Sequence, residues 1–177
     1  MITVATALDR FQTLFREEHR AIRDTLLDLG AAFAARDLPR ARPLLEKTAA
    51  LTGPHFRYEE EAMYPALVAI FGEEYIAKLL GDHDRAIGAA RRLAVLASQE
   101  ALTDQEADEA MRLVRGLLPH VSDCEGLSIM VERLPTERVQ EILAARERAR
   151  EANLDLLTWA ASVRARPAAE PTPSGGP

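Results

Sequence analysis

Cysteines and long apolar runs are scarce in this sequence, and each shortage excludes a class of protein. Cys124 is the only cysteine, so no disulfide can form within the chain, and we expect a reducing cytoplasm. No apolar run approaches the roughly 18 residues that would span a bilayer, and Met1–Val4 lacks the basic and apolar regions of a signal peptide. The formal net charge of -6 argues against nucleic acid as a partner. We therefore expect a cytoplasmic protein that binds neither membranes nor nucleic acid.

The sequence also lacks any pattern typical of β-strands, whereas helical periodicity recurs along most of its length. The apolar spacing predicts helices over about residues 5–35, 38–71, 73–97 and 103–134, with a kink at Gly53-Pro54 in the second. Thr103 and Glu106 form a capping box at the start of the fourth helix.

A weak internal repeat relates the first two helices to the next two. His19-Arg-Ala-Ile corresponds to His83-Asp-Arg-Ala-Ile, and Pro54-His55 corresponds to Pro119-His120. Two αα units of this kind predict an all-α fold, an up-down-up-down four-helix bundle over residues 1–134.

The rest of the chain predicts an additional C-terminal fifth helix and a disordered tail. The helix is expected to lie within residues 135–164, packed on or beside the bundle, and its charged middle, Arg146–Glu151, is expected to be solvated. Residues 165–177 are rich in Pro, Gly and Ser, which is typical of disorder. A second copy of the chain or a protein partner could bind through this helix.

Histidine is rare as well, but its four positions carry the chemistry. His19, His55, His83 and His120 lie one on each predicted bundle helix, each on the apolar stripe. A single buried histidine would be explained by one hydrogen bond, but four in one apolar interior are better satisfied by a shared metal. Glu59 follows His55 by four residues and so shares its helical face, where the two can reach one metal or bridge two.

These residues resemble the hemerythrin-like, or HHE cation-binding, family. The resemblance covers about residues 5–134 and is most specific between His55 and Pro65. It implies a four-helix bundle with two iron ions in a non-heme centre. One iron would be bound by His19 and His55, the other by His83 and His120, and Glu59 would bridge them. Manganese or zinc also suit mixed imidazole and carboxylate ligands, and a single metal or a mixed manganese-iron pair stays open.

The sequence departs from the family pattern in two places. Oxygen-carrying hemerythrins have a second histidine four residues from the one that matches His83, but the residues at that distance here are Leu79 and Ile87. The iron of His83 would then keep an open position, so we expect oxidant chemistry there. On the fourth helix, Cys124 stands at the position that matches Glu59. We assign the second bridging carboxylate to Glu125, which a π-type bulge near Pro119 would turn inward, with Asp123 and Cys124 as the alternatives.

The resemblance and the ligands together predict a protein that binds, senses or reduces a small diatomic molecule or peroxide. The alternatives are a di-iron oxygenase acting on a small metabolite, an iron storage or delivery protein, and a helical interaction module. Tyr58 and Tyr64 are interpreted as packing residues, and Glu60 and Glu61 as a solvated face.

Overall fold

The computed structural model describes residues 6–164, and this part of the chain is helical without strands. The predicted all-α class is thus confirmed, whereas the predicted disorder of residues 165–177 lies outside the described residues. The seven α-helices are α1 (Ala7–Ala34), α2 (Leu38–Tyr58), α3 (Tyr64–Phe71), α4 (Glu73–Ala97), α5 (Asp104–Met130), α6 (Thr136–Ala152) and α7 (Leu156–Arg164). A π-helical turn, Glu59–Met63, joins α2 to α3, and a 3₁₀ turn, Val131–Arg133, follows α5.

The four long helices pack in a ring around one interior. Helix α1 packs against α2 and α5, and α4 packs against the same two helices. Each long helix turns an apolar stripe inward, as α1 does with Phe15, Ile22 and Leu29. Capping boxes begin two of them, Thr6 with Asp9 at α1 and Thr103 with Glu106 at α5. The bundle is helical, as predicted, and its up-down-up-down order stays a prediction.

The irregularity in the second predicted helix does not lie where the sequence placed it. Helix α2 runs through Gly53-Pro54, and the break is the π-helical turn instead. There the backbone N–H of Tyr64 donates to the carbonyl of Glu59, five residues earlier. Pro65 follows directly and has no N–H to continue the regular pattern, which favours a wider turn at this point.

Gly53 has a different role, since it lets another segment approach α2 closely. A Cβ atom at Gly53 would lie 2.6 Å from the backbone carbon of Asp155 and 2.7 Å from the nitrogen of Leu156. Any larger residue would therefore displace the connection between α6 and α7. The glycine thus fixes these C-terminal residues against the bundle.

The predicted fifth helix is in fact two helices. Asn153 adopts a left-handed conformation (φ 48°) and ends α6, and the Asp155 carboxylate then accepts hydrogen bonds from the first backbone N–H groups of α7. Helix α6 packs against α1 and α2, and α7 packs against α2 and α4. The charged middle is not wholly solvated as predicted, because Arg146 is only 4% exposed.

Candidate metal centre

All four histidines project into the interior of the helical ring. His19, His55 and His83 are at most 3% exposed, and the side chain of His120 is 11% exposed. Aromatic neighbours hold the rings in place. Phe56 stacks on His83 with ring centres 3.7 Å apart, and Phe15 meets His19 edge-on at 4.2 Å.

The first group of potential ligands consists of His19, His55 and Glu59. The two Nε2 atoms lie 3.1 Å apart, and Glu59 Oε1 lies 3.3 Å from His55 Nε2. Within the described residues Glu59 Oε1 has no hydrogen-bond partner, although the residue is fully buried. Three lone-pair donors thus converge with too few protons to satisfy them. A bound cation would satisfy all three together.

The second group lies on the other side of the same carboxylate. Glu59 Oε2 is 3.1 Å from His83 Nε2, and Cys124 Sγ is 3.4 Å from His120 Nε2. Potential ligand atoms of Glu59, His120 and Cys124 lie within 4.8 Å of one another. The Tyr64 hydroxyl reaches into this group, 3.1 Å from His83 Nε2 and 3.3 Å from both Glu59 Oε2 and Cys124 Sγ. The interpretation of Tyr64 as a packing residue was therefore incomplete.

Glu125 does not reach this interior. Helix α5 remains α-helical through Met130, without the bulge expected near Pro119, and Glu125 is exposed. In a regular helix a residue five positions after His120 points about 140° away from it, whereas Cys124, at four positions, stays within about 40°. Cys124 is fully buried and takes the inward position. Asp123 is exposed and pairs with Lys78.

Two acidic residues that the sequence did not single out as functional orient the histidines from outside. Glu18 Oε2 lies 2.9 Å from His55 Nδ1 and also accepts a hydrogen bond from the Tyr58 hydroxyl. Glu60 Oε1 lies 2.8 Å from His83 Nδ1, so Glu60 is not part of a solvated face as expected. A carboxylate on Nδ1 fixes the tautomer and directs the Nε2 lone pair towards a metal.

The C-terminal helices add an arginine to each of these carboxylates. Arg146 of α6 donates to Glu18 Oε1 from Nε (2.7 Å), and Arg164 of α7 donates to Glu60 Oε1 (2.5 Å). The ring of Trp159 lies under the Arg164 guanidinium, 5.0 Å away. No sequence spacing could have indicated these pairs, since Arg146 lies 128 residues after Glu18 and Arg164 lies 104 residues after Glu60.

The pKa values of the four histidines shift in the same pattern in both groups. Burial lowers the pKa of His55, but Glu59 and Glu18 outweigh it and raise that pKa to about 10. Burial and the neighbouring His55 lower the pKa of His19 to about 3. In the second group, burial lowers the pKa of His120 to about 4, whereas Glu59 and Glu60 outweigh burial and raise the pKa of His83. In each group the shifts favour a positive charge on one histidine, His55 or His83, over its neighbour, and metal binding would compete with that added proton.

The donor set fits a pair of divalent cations. Four imidazoles and one carboxylate with two inward oxygens suit iron, manganese or zinc, and the thiol of Cys124 adds a softer donor. Burial, followed by the charge of Glu59, raises the pKa of Cys124 well above its ordinary value, so this residue is a neutral thiol without a metal. It would have to lose its proton in order to bind one.

A cavity of about 430 Å³ borders the centre on one side. Its inner end is formed by His19, His55 and His120, and the rest of its wall is mainly aliphatic. His19 Nδ1 has no hydrogen-bond partner among the described residues. The histidines are thus accessible from a space inside the bundle.

Comparison with known proteins agrees with this chemistry. Across residues 6–164, every helix is too short or too polar to cross a membrane. No curated protein and no solved structure matched the chain. The family model for the hemerythrin HHE cation-binding domain matches residues 10–127, a span that includes all four histidines, Glu59 and Cys124. The chain therefore belongs to the hemerythrin HHE cation-binding family.

Proposed function

We propose that this chain is a cytoplasmic non-heme di-iron protein that binds, senses or reduces a small oxidant, such as oxygen, peroxide or nitric oxide. The observation that carries the proposal is the position of Glu59. Its Oε1 faces His19 and His55, and its Oε2 faces His83. One buried carboxylate between two histidine pairs is the arrangement expected of a bridging ligand.

The residues around the centre would hold the histidine rings in the orientation that metal binding requires. Glu18 and Glu60 hold the Nδ1 protons of His55 and His83, so the Nε2 lone pairs stay directed inward. Phe56 and Phe15 hold the imidazole rings of His83 and His19 in position. A pair of irons, when bound, supplies one or two electrons to a small oxidant.

The second group is the side at which we expect the oxidant to react. Leu79 and Ile87 are buried one turn on either side of His83 and carry no metal-binding atom. Burial and the charge of Glu59 raise the pKa of Tyr64 far above its ordinary value, so its hydroxyl keeps its proton. That hydroxyl, already within 3.3 Å of Glu59 Oε2, is placed to donate a hydrogen bond to a small ligand.

Anaerobic reconstitution with ferrous iron tests this proposal. We expect about two irons per chain by elemental analysis. A reversible optical change on exposure to oxygen or nitric oxide would indicate binding, and an irreversible change with consumption of peroxide would indicate reduction. Uptake of many irons per chain would indicate storage or delivery. A reproducible iron content near zero would overturn the proposal, and a content near one would replace the pair with a single metal.

A second candidate is a di-iron oxygenase acting on a small organic molecule. The cavity that ends at His19, His55 and His120 favours it, because a carrier of diatomic molecules has no need for a space of this size. Product analysis after oxygen exposure, with and without added organic compounds, separates the two candidates.

A further inference from the structure

The lining of the cavity beside the histidines extends along the bundle. From His19 at one end to Leu29 at the other it follows ten residues of α1, about 15 Å of helix. All of its exposed lining residues belong to α4 and α5. The cavity therefore opens to solvent at the seam between these two helices.

Its walls are aliphatic and leave space because the residues at the seam are small. Ile22 and Leu26 of α1 form one side. Ala86 and Ala89 of α4 and Gly116 of α5 line the seam, where larger side chains could have filled the volume. Aliphatic walls favour an apolar occupant, because contact between hydrocarbon and these walls removes apolar surface from water.

The opening carries more positive than negative charge. Lys78, Arg85 and Arg112 line it together with Asp82 and Asp123. Lys78 pairs with both aspartates, and Arg85 pairs with Asp82. Across residues 6–164, no ion pair within 4 Å and no hydrogen bond engages the side chain of exposed Arg112, although Glu109 is near enough to feel its charge. It is therefore the cation of the opening that has no close partner.

We propose that the cavity binds an aliphatic carboxylate of medium chain length. The hydrocarbon chain lies between α1 and α4, and the carboxylate meets Arg112 at the seam. The length of the cavity limits the length of the chain, and Arg112, the cation without a close partner, selects the charge of the head group. This proposal concerns binding and does not require metal, so it can fail or succeed independently of the iron centre.

Isothermal titration calorimetry of the full-length chain with straight-chain compounds tests the proposal. Affinity for the series from butanoate to tetradecanoate is expected to rise with length and then level off once the cavity is full. Decanol should bind about five-fold more weakly than decanoate, as for loss of one exposed ion pair, and decylamine more weakly still. Each compound is measured with metal-free and with iron-loaded protein.

Two pairs of variants locate the site. Ala89→Phe places a ring in the cavity and should weaken decanoate binding at least ten-fold, whereas Ala94→Phe, at an equally half-buried alanine of α4 outside the cavity, should not. Arg112→Gln should bring decanoate down to the affinity of decanol, whereas Arg115→Gln, at an exposed arginine of α5 outside the cavity, should leave it unchanged.

Several results would overturn the proposal. Absence of decanoate binding to both protein forms would exclude it, and so would equal binding by Ala89→Phe and the unchanged chain. Equal affinity for decanoate and decylamine would remove the role of Arg112. Binding that requires iron and is shared by acetate would place the carboxylate on the metal instead. None of these results changes the iron content, which is the measure of the proposed function.

Discussion

Replacing Arg146 with methionine separates the C-terminal helices from the metal centre with little loss of packing. Met keeps an apolar stem but removes the guanidinium that lies 2.6 Å and 2.7 Å from Glu18 Oε1. Breaking a buried ion pair by removing one partner costs about 3–5 kcal/mol. Glu18 is still 17% exposed and keeps its contacts to His55 and Tyr58. We therefore expect the free energy of unfolding to fall by less, about 2–3 kcal/mol.

Thermal unfolding and metal titration measure this change. A loss of about 2–3 kcal/mol should lower the Tm of the metal-free protein by roughly 5–10 °C. Metal affinity should fall about 10–100-fold, as for other residues that orient a metal-bound histidine. The matched control is Arg150→Met. Arg150 is 57% exposed and approaches the same Glu18 oxygen no closer than 3.8 Å, so its contact is much weaker. Equal metal affinity in both variants at a temperature below either Tm would refute the reasoning.

The same variant should also shift acid unfolding. Burial raises the pKa of Glu18, but His55, Arg146 and Tyr58 outweigh it and lower that pKa to about 2, against an ordinary value of 4.5. This carboxylate therefore contributes stability that is fully present above pH 4.5 and is lost as the pH falls towards 2. Without Arg146 the pKa depression is smaller, so less stability is lost on acidification.

Four further changes test other parts of the structure. Glu59→Gln should reduce the metal content of both groups together, as measured by elemental analysis, and loss of only one metal would contradict a bridging role. Cys124→Ser should weaken the second metal while Glu125→Gln leaves both in place, and the opposite result would restore the assignment made from sequence. Gly53→Ala should destabilise the protein by about 1–3 kcal/mol through steric overlap with the connection between α6 and α7, whereas Gly88→Ala, with open space around it, should not. Removing iron should lower the Tm, since free metal at about 1,000 times its Kd adds about 4 kcal/mol, and equal melting curves would exclude metal stabilisation.

The helices were predictable from sequence because their signals are local. Apolar periodicity placed α1, α4 and α5 within a few residues of where they lie, and the capping box at Thr103 marked the start of α5. It did not show the π-helical turn that ends α2 at Tyr58. The break at Asn153 was missed because the charged stretch before it has the composition of a helix throughout. Asn153 and Asp155 are the local signals for this turn, and the packing of the backbone near Asp155 against Gly53 adds a contact that no local signal shows.

Most candidate metal ligands could be predicted from local sequence signals, whereas the acidic residues that hold the histidines could not. His55 and Glu59 stand one turn apart, so their shared face could be read directly. Glu125 is not turned inward as expected, because the π-helical turn lies in the other half of the repeat, where Pro65 follows it. Glu18 and Glu60 stand next to other acidic residues, and nothing local distinguishes an acid that holds a histidine from one that faces water.

The π-helical turn also determines where this chain can change in length. It contains one residue more than a regular turn would between Glu59 and Tyr64, which lie on one face in spite of their spacing of five. Deleting Glu61 would shorten the spacing to the regular four and leave that shared face intact. Deleting Ala66, in regular helix, would instead rotate the rest of α3 by about 100° and turn buried Leu67 away from the core. Single-residue deletions among related chains should therefore concentrate at this turn.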